Sequence, residues 1–218
     1  MVERMDDFFA SRIEEYEKHM LTEVEGCKEG YIELAKLLPQ GASNMLDLGC
    51  GTGLELGEIY MRFPNLSVTG IDISKEMLEK LEQKYPQKQI ELVCADYMEY
   101  SFGDGVYDCV VSFESLHHFG HREKLGLYKK IYSALKPGGI YAEGDYMVET
   151  LQEELRFLEE GRKLRKESGV AAGELLHIDI PFAISSQLDL LGKAGFYDAK
   201  MVWRMGATTI ITGKKRLG

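Results

Sequence analysis

Between residues 44 and 146, short apolar runs alternate with stretches of helical periodicity, and this alternation constrains the fold more than any other feature of the chain. "SNMLDLG" reads as a buried strand and is followed by the helical pattern "LELGEIYMRF". "LSVTGID" gives a second strand, and "SKEMLEKLEQKY" a second helix with Ser74 placed to cap it. "QIELVCAD" and "YDCVVSFESL" are two further strands. The latter is almost continuously apolar, as expected of a strand covered on both faces. "REKLGLYKKIYSALKPGG" reads as a helix closed by a Pro-Gly-Gly turn, and "IYAEGDY" as a fifth strand. Such alternation specifies an α/β fold with a parallel sheet wound by right-handed crossovers.

The flanking segments follow other patterns. Residues 3–24 form an amphipathic helix in which Phe9, Ile13, Tyr16, Met20 and Val24 recur at spacings of three and four. A second helical run, "EGYIELAKLLP", stops at Pro39. Beyond the fifth strand come a charged helix, "ETLQEELRFLEEGRKLRKES", a loop-like "GVAAGELLHIDIPF" and the helix "SSQLDLLGKAGF". The charged helix fits a solvated surface laced by i,i+4 pairs. Two strand-like runs around Gly206 then carry a hairpin signal. The expected organisation is one domain over 1–218, with a helical cap at about 1–40 and an inserted helical cover at about 147–182.

Composition narrows the function classes. The 218 residues carry a formal net charge of −10 spread along the chain, a field that repels nucleic-acid phosphates. No apolar run approaches the roughly 20 residues that span a bilayer. The start, "MVERMDDFFA", is acidic where a signal peptide would be basic. Cys27, Cys50, Cys94 and Cys109 show no CxxC spacing, which argues for reduced thiols in a cytoplasmic protein and against a structural zinc site. Neither a nucleic-acid nor a membrane partner is expected, and oligomeric state is not legible.

The motif with chemical content is "LDLGCGTG", whose Gly49, Gly51 and Gly53 end the first strand and open a helix. Bare backbone at that junction turns sharply and admits a ligand close to its N–H groups, and the helix terminus favours an anionic ligand group. Asp72 ends the second strand roughly 20 residues on, where an acid can accept ribose hydroxyls. The glycine spacing is G-x-G-x-G rather than the G-x-G-x-x-G of dinucleotide binders. With "TGIDIS", "CADYMEY", "YDCVVSFESLHHF", "LKPGGIYAEGDY" and the closing "AGFYDAKMVW…TTIITGKK", the series resembles the class I S-adenosylmethionine-dependent methyltransferases over roughly residues 8–215.

The resemblance implies a Rossmann-like, doubly wound sheet of seven strands, mostly parallel with an antiparallel C-terminal strand and helices on both faces. It implies S-adenosyl-L-methionine as cofactor and transfer of a methyl group to a small organic acceptor by in-line displacement. Gly49 and Gly51 would pass under the methionine part, with Asp47 holding the loop or the amino group. Asp72 would bind ribose, while Ile73 and Met77 would pack on adenine. Asp96 and Tyr97 would meet the adenine edge, Ser112 and Phe113 would flank the sulfonium, and Tyr16 would reach the methionine carboxylate. Other readings of the same fold are an RNA-modifying or modified-cofactor-producing enzyme, and a non-catalytic cofactor-binding regulatory protein.

Acceptor residues are harder to read, because alignment and exclusion of water do most of the work in methyl transfer. Three clusters offer polar groups. "SFESLHHFGH" carries Glu114, His117, His118 and His121, "EGDY" carries Glu143, Asp145 and Tyr146, and "HIDIP" carries His177 and Asp179. The catalytic candidates are His117, His118, Asp145, Tyr146 and His177. Two arrangements stand side by side: one histidine serves as a base, or His117, His118, His177 and Asp145 hold a divalent metal, although no pair has a diagnostic ligand spacing.

Overall fold

The computed structural model describes residues 2–170 and 174–218; part of the loop expected at 169–182 lies outside them. A seven-stranded sheet has the order β3-β2-β1-β4-β5-β7-β6. The strands are β1 (Asn44–Leu48), β2 (Ser67–Asp72), β3 (Ile90–Cys94), β4 (Tyr107–Phe113), β5 (Leu135–Tyr146), β6 (Tyr197–Met205) and β7 (Thr208–Lys214). Strands β1 to β5 pair in parallel, and β7 inserts antiparallel between β5 and β6. The expected sheet, with its antiparallel C-terminal strand, is therefore the sheet that forms.

Alternation along the central strands sends side chains into two separate cores. Met45, Cys109, Val111, Phe113 and Ala142 meet α2 (Cys27–Leu37), α3 (Leu54–Arg62) and α4 (Lys75–Lys84) on one face. Leu46, Leu48, Val110 and Tyr141 meet α5 (His121–Ala134) and α7 (Ile184–Ala194) on the other. The apolar runs of β1 and β4 follow directly from this double cover. Ser74 caps α4 by accepting from the Met77 N–H at 3.3 Å.

Two boundaries differ from the sequence reading. α5 stops at Ala134, and the Pro-Gly-Gly segment belongs to an extended β5 rather than to a helix-closing turn. Register explains this: Tyr107 pairs with Leu135 while Cys109 pairs with Ile140, so the extra β5 residues form an irregularity beside β4. In the N-terminal part, α1 (Met5–Thr22) lies against α2 and α4, with Lys80 Nζ donating to the Ile13 carbonyl at 2.9 Å. α6 (Leu151–Ser168) begins in a capping box formed by Thr150 and Glu153. The chain after it returns to the sheet at 175–183. Among the described residues no helix is long and apolar enough to cross a membrane.

The acids expected to share a face of β5 do so, but they diverge in role. Glu143 is fully buried and accepts from Tyr128 Oη (2.7 Å), Tyr141 Oη (2.9 Å) and Gln187 Nε2 (2.9 Å). That network ties β5 to α5 and α7 and satisfies a group whose burial would otherwise be costly. Gly144 between them accommodates the Phe113 ring, since a Cβ built there would lie 2.3 Å from Phe113 Cε2. Gly144→Ala should therefore lower stability by about 1–3 kcal/mol through overpacking. A denaturant melt checks this, and an unchanged midpoint would show that the Phe113 ring gives way at no cost.

Candidate active site

The turn after β1 is latched to β2. Gly49 and Cys50 both donate to the Ile71 carbonyl, at 2.8 and 3.2 Å, and Gly51 N–H donates to Asp72 Oδ2 at 2.9 Å. Gly49, Gly51 and Gly53 have φ of +70°, +48° and +69°, a region open to glycine at little steric penalty. A Cβ on Gly49 would also collide with Ser115 Oγ at 2.0 Å. Asp72 accepts a second N–H, from Ser74 at 2.8 Å, and burial still raises its pKa above the ordinary carboxylate value. Each of its oxygens keeps a further lone pair for a ligand hydroxyl.

Two cavities meet over this turn. The smaller, of about 40 Å³, is bounded by Gly49, Gly51, Asp72, Ile73, Met77 and Tyr97, with Tyr16, Phe9 and Met5 of α1 above them. The larger, of about 800 Å³, lies between α1, the end of β4, the 177–179 loop and the β6–β7 turn. Phe9, Tyr16, Glu114 and His118 line both.

Of the residues expected to hold a cofactor, Tyr16, Gly49, Gly51, Asp72, Ile73, Met77 and Tyr97 line the smaller cavity. Asp47, Asp96, Ser112 and Phe113 do not. Asp47 sits fully buried at the root of the turn with neither carboxylate oxygen hydrogen-bonded, and burial beside Glu55 raises its pKa. Asp96 turns its Oδ1 back to the Met98 N–H at 2.7 Å. Ser112 is buried without a partner, and Phe113 points into the α2 core against Tyr31, 4.6 Å between ring centres. Alternation places the chain beyond β4 at the cavity, so Glu114 and Ser115 take the position expected of Ser112 and Phe113.

Among the catalytic candidates, His117, His118, Tyr146 and His177 line the larger cavity and Asp145 does not. Asp145 is fully buried and stands behind His117, with Oδ1 2.5 Å from Nδ1, while also accepting from the Leu116 and Tyr146 N–H groups. Burial pulls the His117 pKa down, but the Asp145 carboxylate, aided by Glu114 and Asp179, outweighs it and raises the value to about 9. His118 is buried with less anionic help, beside cationic His117, and drops to about 4. His177 stacks on Phe8 at 3.6 Å and borders the chamber from the loop side. His121 is occupied elsewhere, at 2.7 Å from Glu154 Oε1 and against the Phe182 ring.

Glu114 is the site residue whose weight the sequence understates. It holds φ +48°, an uncommon conformation for a side-chain-bearing residue, and borders both cavities. Burial, with Asp145 nearby and against the pull of His117, raises its pKa to about 7. Asp179 behaves oppositely: although burial raises its pKa, contact with His118 and the charge of His117 lower it well below the ordinary value.

Comparison with known proteins agrees with the fold. Residues 45–139 match a family described as "Methyltransferase domain". Malonyl-[acyl-carrier protein] O-methyltransferase of Priestia megaterium is 32% identical over 95 residues, which are 44% of this chain and 34% of that protein. The chain thus spans about a third of that relative's length. Carboxy-S-adenosyl-L-methionine synthase of Nautilia profundicola is 24% identical over 184 residues, covering 79% of this chain and 77% of that one. Human N-acetylserotonin methyltransferase, solved in complex with SAM, superposes with a TM-score of 0.64 at 19% identity, over 87% of this chain and 51% of its own.

The Asp145–His117 pair sets a pH dependence. The folded His117 value of about 9 exceeds its ordinary 6.5, so the pair's contribution is complete below pH 6.5 and is lost as pH climbs through 9. In Asp145→Asn the anion is gone and burial prevails, so the His117 titration followed by NMR in chelator-treated protein should move below 7. A midpoint that stays near 9 would show that another group holds the proton.

Proposed function

We propose that this chain, which belongs to the class I S-adenosylmethionine-dependent methyltransferases, moves the methyl group of S-adenosylmethionine onto a small organic acceptor held in the larger cavity. The observation that carries this reading is the shared wall: Phe9, Tyr16, Glu114 and His118 border both cavities, so groups bound in each would meet there. The smaller cavity fits the donor in chemistry. Bare backbone at Gly49 and Gly51, the Asp72 carboxylate at a strand end, and apolar Ile73 and Met77 suit an adenosyl sulfonium with its ribose.

The smaller cavity, at about 40 Å³ against about 800 Å³, is much the tighter of the two and is bordered by Met5, Phe9 and Tyr16 of α1. Seating the donor there would require α1, which carries these three residues, to draw back from the turn. α1 is held to α4 by pairs at the rim, Lys80 with Glu14 and Lys84 with Glu17, which leave it separable.

When bound, S-adenosylmethionine supplies a methyl group already activated by the sulfonium charge. The chain's own task is to align the acceptor, exclude water and take up its proton. Glu114, with its pKa near 7, is suited to accept that proton at neutral pH. His118, neutral there, can hydrogen-bond the acceptor without competing for it. Phe8, Phe9 and Tyr146 provide flat apolar walls. A second reading follows from the similarity to carboxy-S-adenosyl-L-methionine synthase: the product would be a modified cofactor rather than a methylated acceptor. Mass spectrometry separates them, since one adds a methyl group to a metabolite and the other adds mass to the sulfonium.

Calorimetry with S-adenosylmethionine and its demethylated product should show one site per chain. Asp72→Ala should weaken both by about tenfold or more, the equivalent of about 1.4 kcal/mol. Glu114→Gln should leave donor affinity within about twofold and slow turnover about 100-fold, the low end for losing a general base. No binding heat would overturn the reading, and full turnover in Glu114→Gln would remove Glu114 as the base.

A further inference from the structure

The wall of the larger cavity gathers three potential ligand atoms from two segments far apart in sequence. Asp179 Oδ1 lies 3.6 Å from His117 Nε2 and 3.3 Å from His118 Nδ1. A tetrahedral cation bonded at about 2.0–2.2 Å to nitrogen and oxygen ligands holds them about 3.4 Å apart. The two distances to Asp179 match that requirement, and the three atoms all lie within 4.8 Å of one another. His117 is also oriented as metal-bound histidines commonly are, with its other ring nitrogen, Nδ1, 2.5 Å from the Asp145 carboxylate.

We propose that His117 Nε2, His118 Nδ1 and an Asp179 carboxylate oxygen form a three-ligand site for a divalent cation such as Zn2+ or Mn2+, opening on the acceptor chamber. Two imidazoles and one carboxylate on one side leave coordination positions free toward the cavity, the arrangement of a site that also takes a small ligand. Asp145 is then a positioning residue rather than a ligand, since its carboxylate is fully buried behind His117. For the cation to bind, His117 gives up the Nε2 proton. His118 shifts its proton to Nε2 and releases the Ile178 carbonyl, which lies 3.2 Å from its Nδ1. The first change releases a proton, so binding weakens as pH falls; the second is a tautomer shift that releases none. The same loop is already sewn to this place by the Ile180 N–H, which donates to the His117 carbonyl at 2.7 Å. A cation there would order the loop further and select acceptors with a chelating pair of oxygen or nitrogen atoms.

This inference deepens the methyl-transfer reading, but its test does not depend on turnover. Tag-free full-length protein, dialysed against chelator, is titrated with Zn2+ and with Mn2+ by calorimetry, and S-adenosylmethionine is titrated separately into the same samples. One cation per chain is expected. His118→Ala and Asp179→Asn should each weaken it at least tenfold, and Asp145→Asn by about 10- to 100-fold through the orientation of His117. Asp179 is half-exposed at the cavity rim, so Asp179→Asn tests the site even if a buried-histidine variant fails to fold. Absence of a stoichiometric site, or equal affinity in Asp179→Asn, would overturn the proposal and leave the three groups linked by protons alone. Donor heat without cation binding overturns this site alone, whereas cation binding without donor heat overturns only the methyl-transfer reading.

Discussion

The hydrogen bond from Gly51 N–H to the Asp72 carboxylate is the contact on which the rest of the site depends. It joins the exit of β1 to the exit of β2 and fixes the turn with its N–H groups facing the strand ends. The adjacent Gly49 and Cys50 bonds to Ile71 make the turn an extension of the sheet rather than a loose loop. Asp72 remains buried, and its pKa is raised, because two N–H donors only partly offset its loss of water. A carboxylate so placed is both a structural pin and a preorganised acceptor for a polyhydroxylated ligand, with little left to reorganise on binding.

A second tier of buried charge surrounds the chamber and divides into two kinds. Glu143 is saturated by Tyr128, Tyr141 and Gln187 and serves the packing of β5 against α5 and α7. Asp145, two residues on along the same face, spends its charge on His117 and two backbone N–H groups. The contrast follows from position. Glu143 lies beneath two helices, while Asp145 lies at the strand's C-terminal end, where ligands of open α/β sheets are received. Three neighbouring ionisable groups, Glu114, His117 and His118, consequently leave their ordinary values in different directions, a pattern associated with functional sites.

Much of this was legible in the sequence. Periodicity located every strand and helix, because the double cover of β1 and β4 and the one-sided faces of the helices are written in spacing alone. The glycine turn and Asp72 were legible because their chemistry is local. What escaped was non-local. The register irregularity that extends β5 through Pro137 depends on pairing with β4, not on the Pro-Gly-Gly signal itself. Ser112 and Phe113 were expected at the cavity, but the strand ends one step later and hands that place to Glu114 and Ser115. The left-handed backbone at Glu114 has no sequence signature. The joining of Asp179 to His117 and His118 crosses about 60 residues of chain and is set by the course of the chain after α6, which spacing cannot reveal.

α1 also roofs both cavities at once, through Phe9 and Tyr16. A single helix over two adjoining chambers ties their walls together: a change that displaces Phe9 or Tyr16 alters both. The shape of one opening is therefore not independent of the other, because the same two aromatic rings border each.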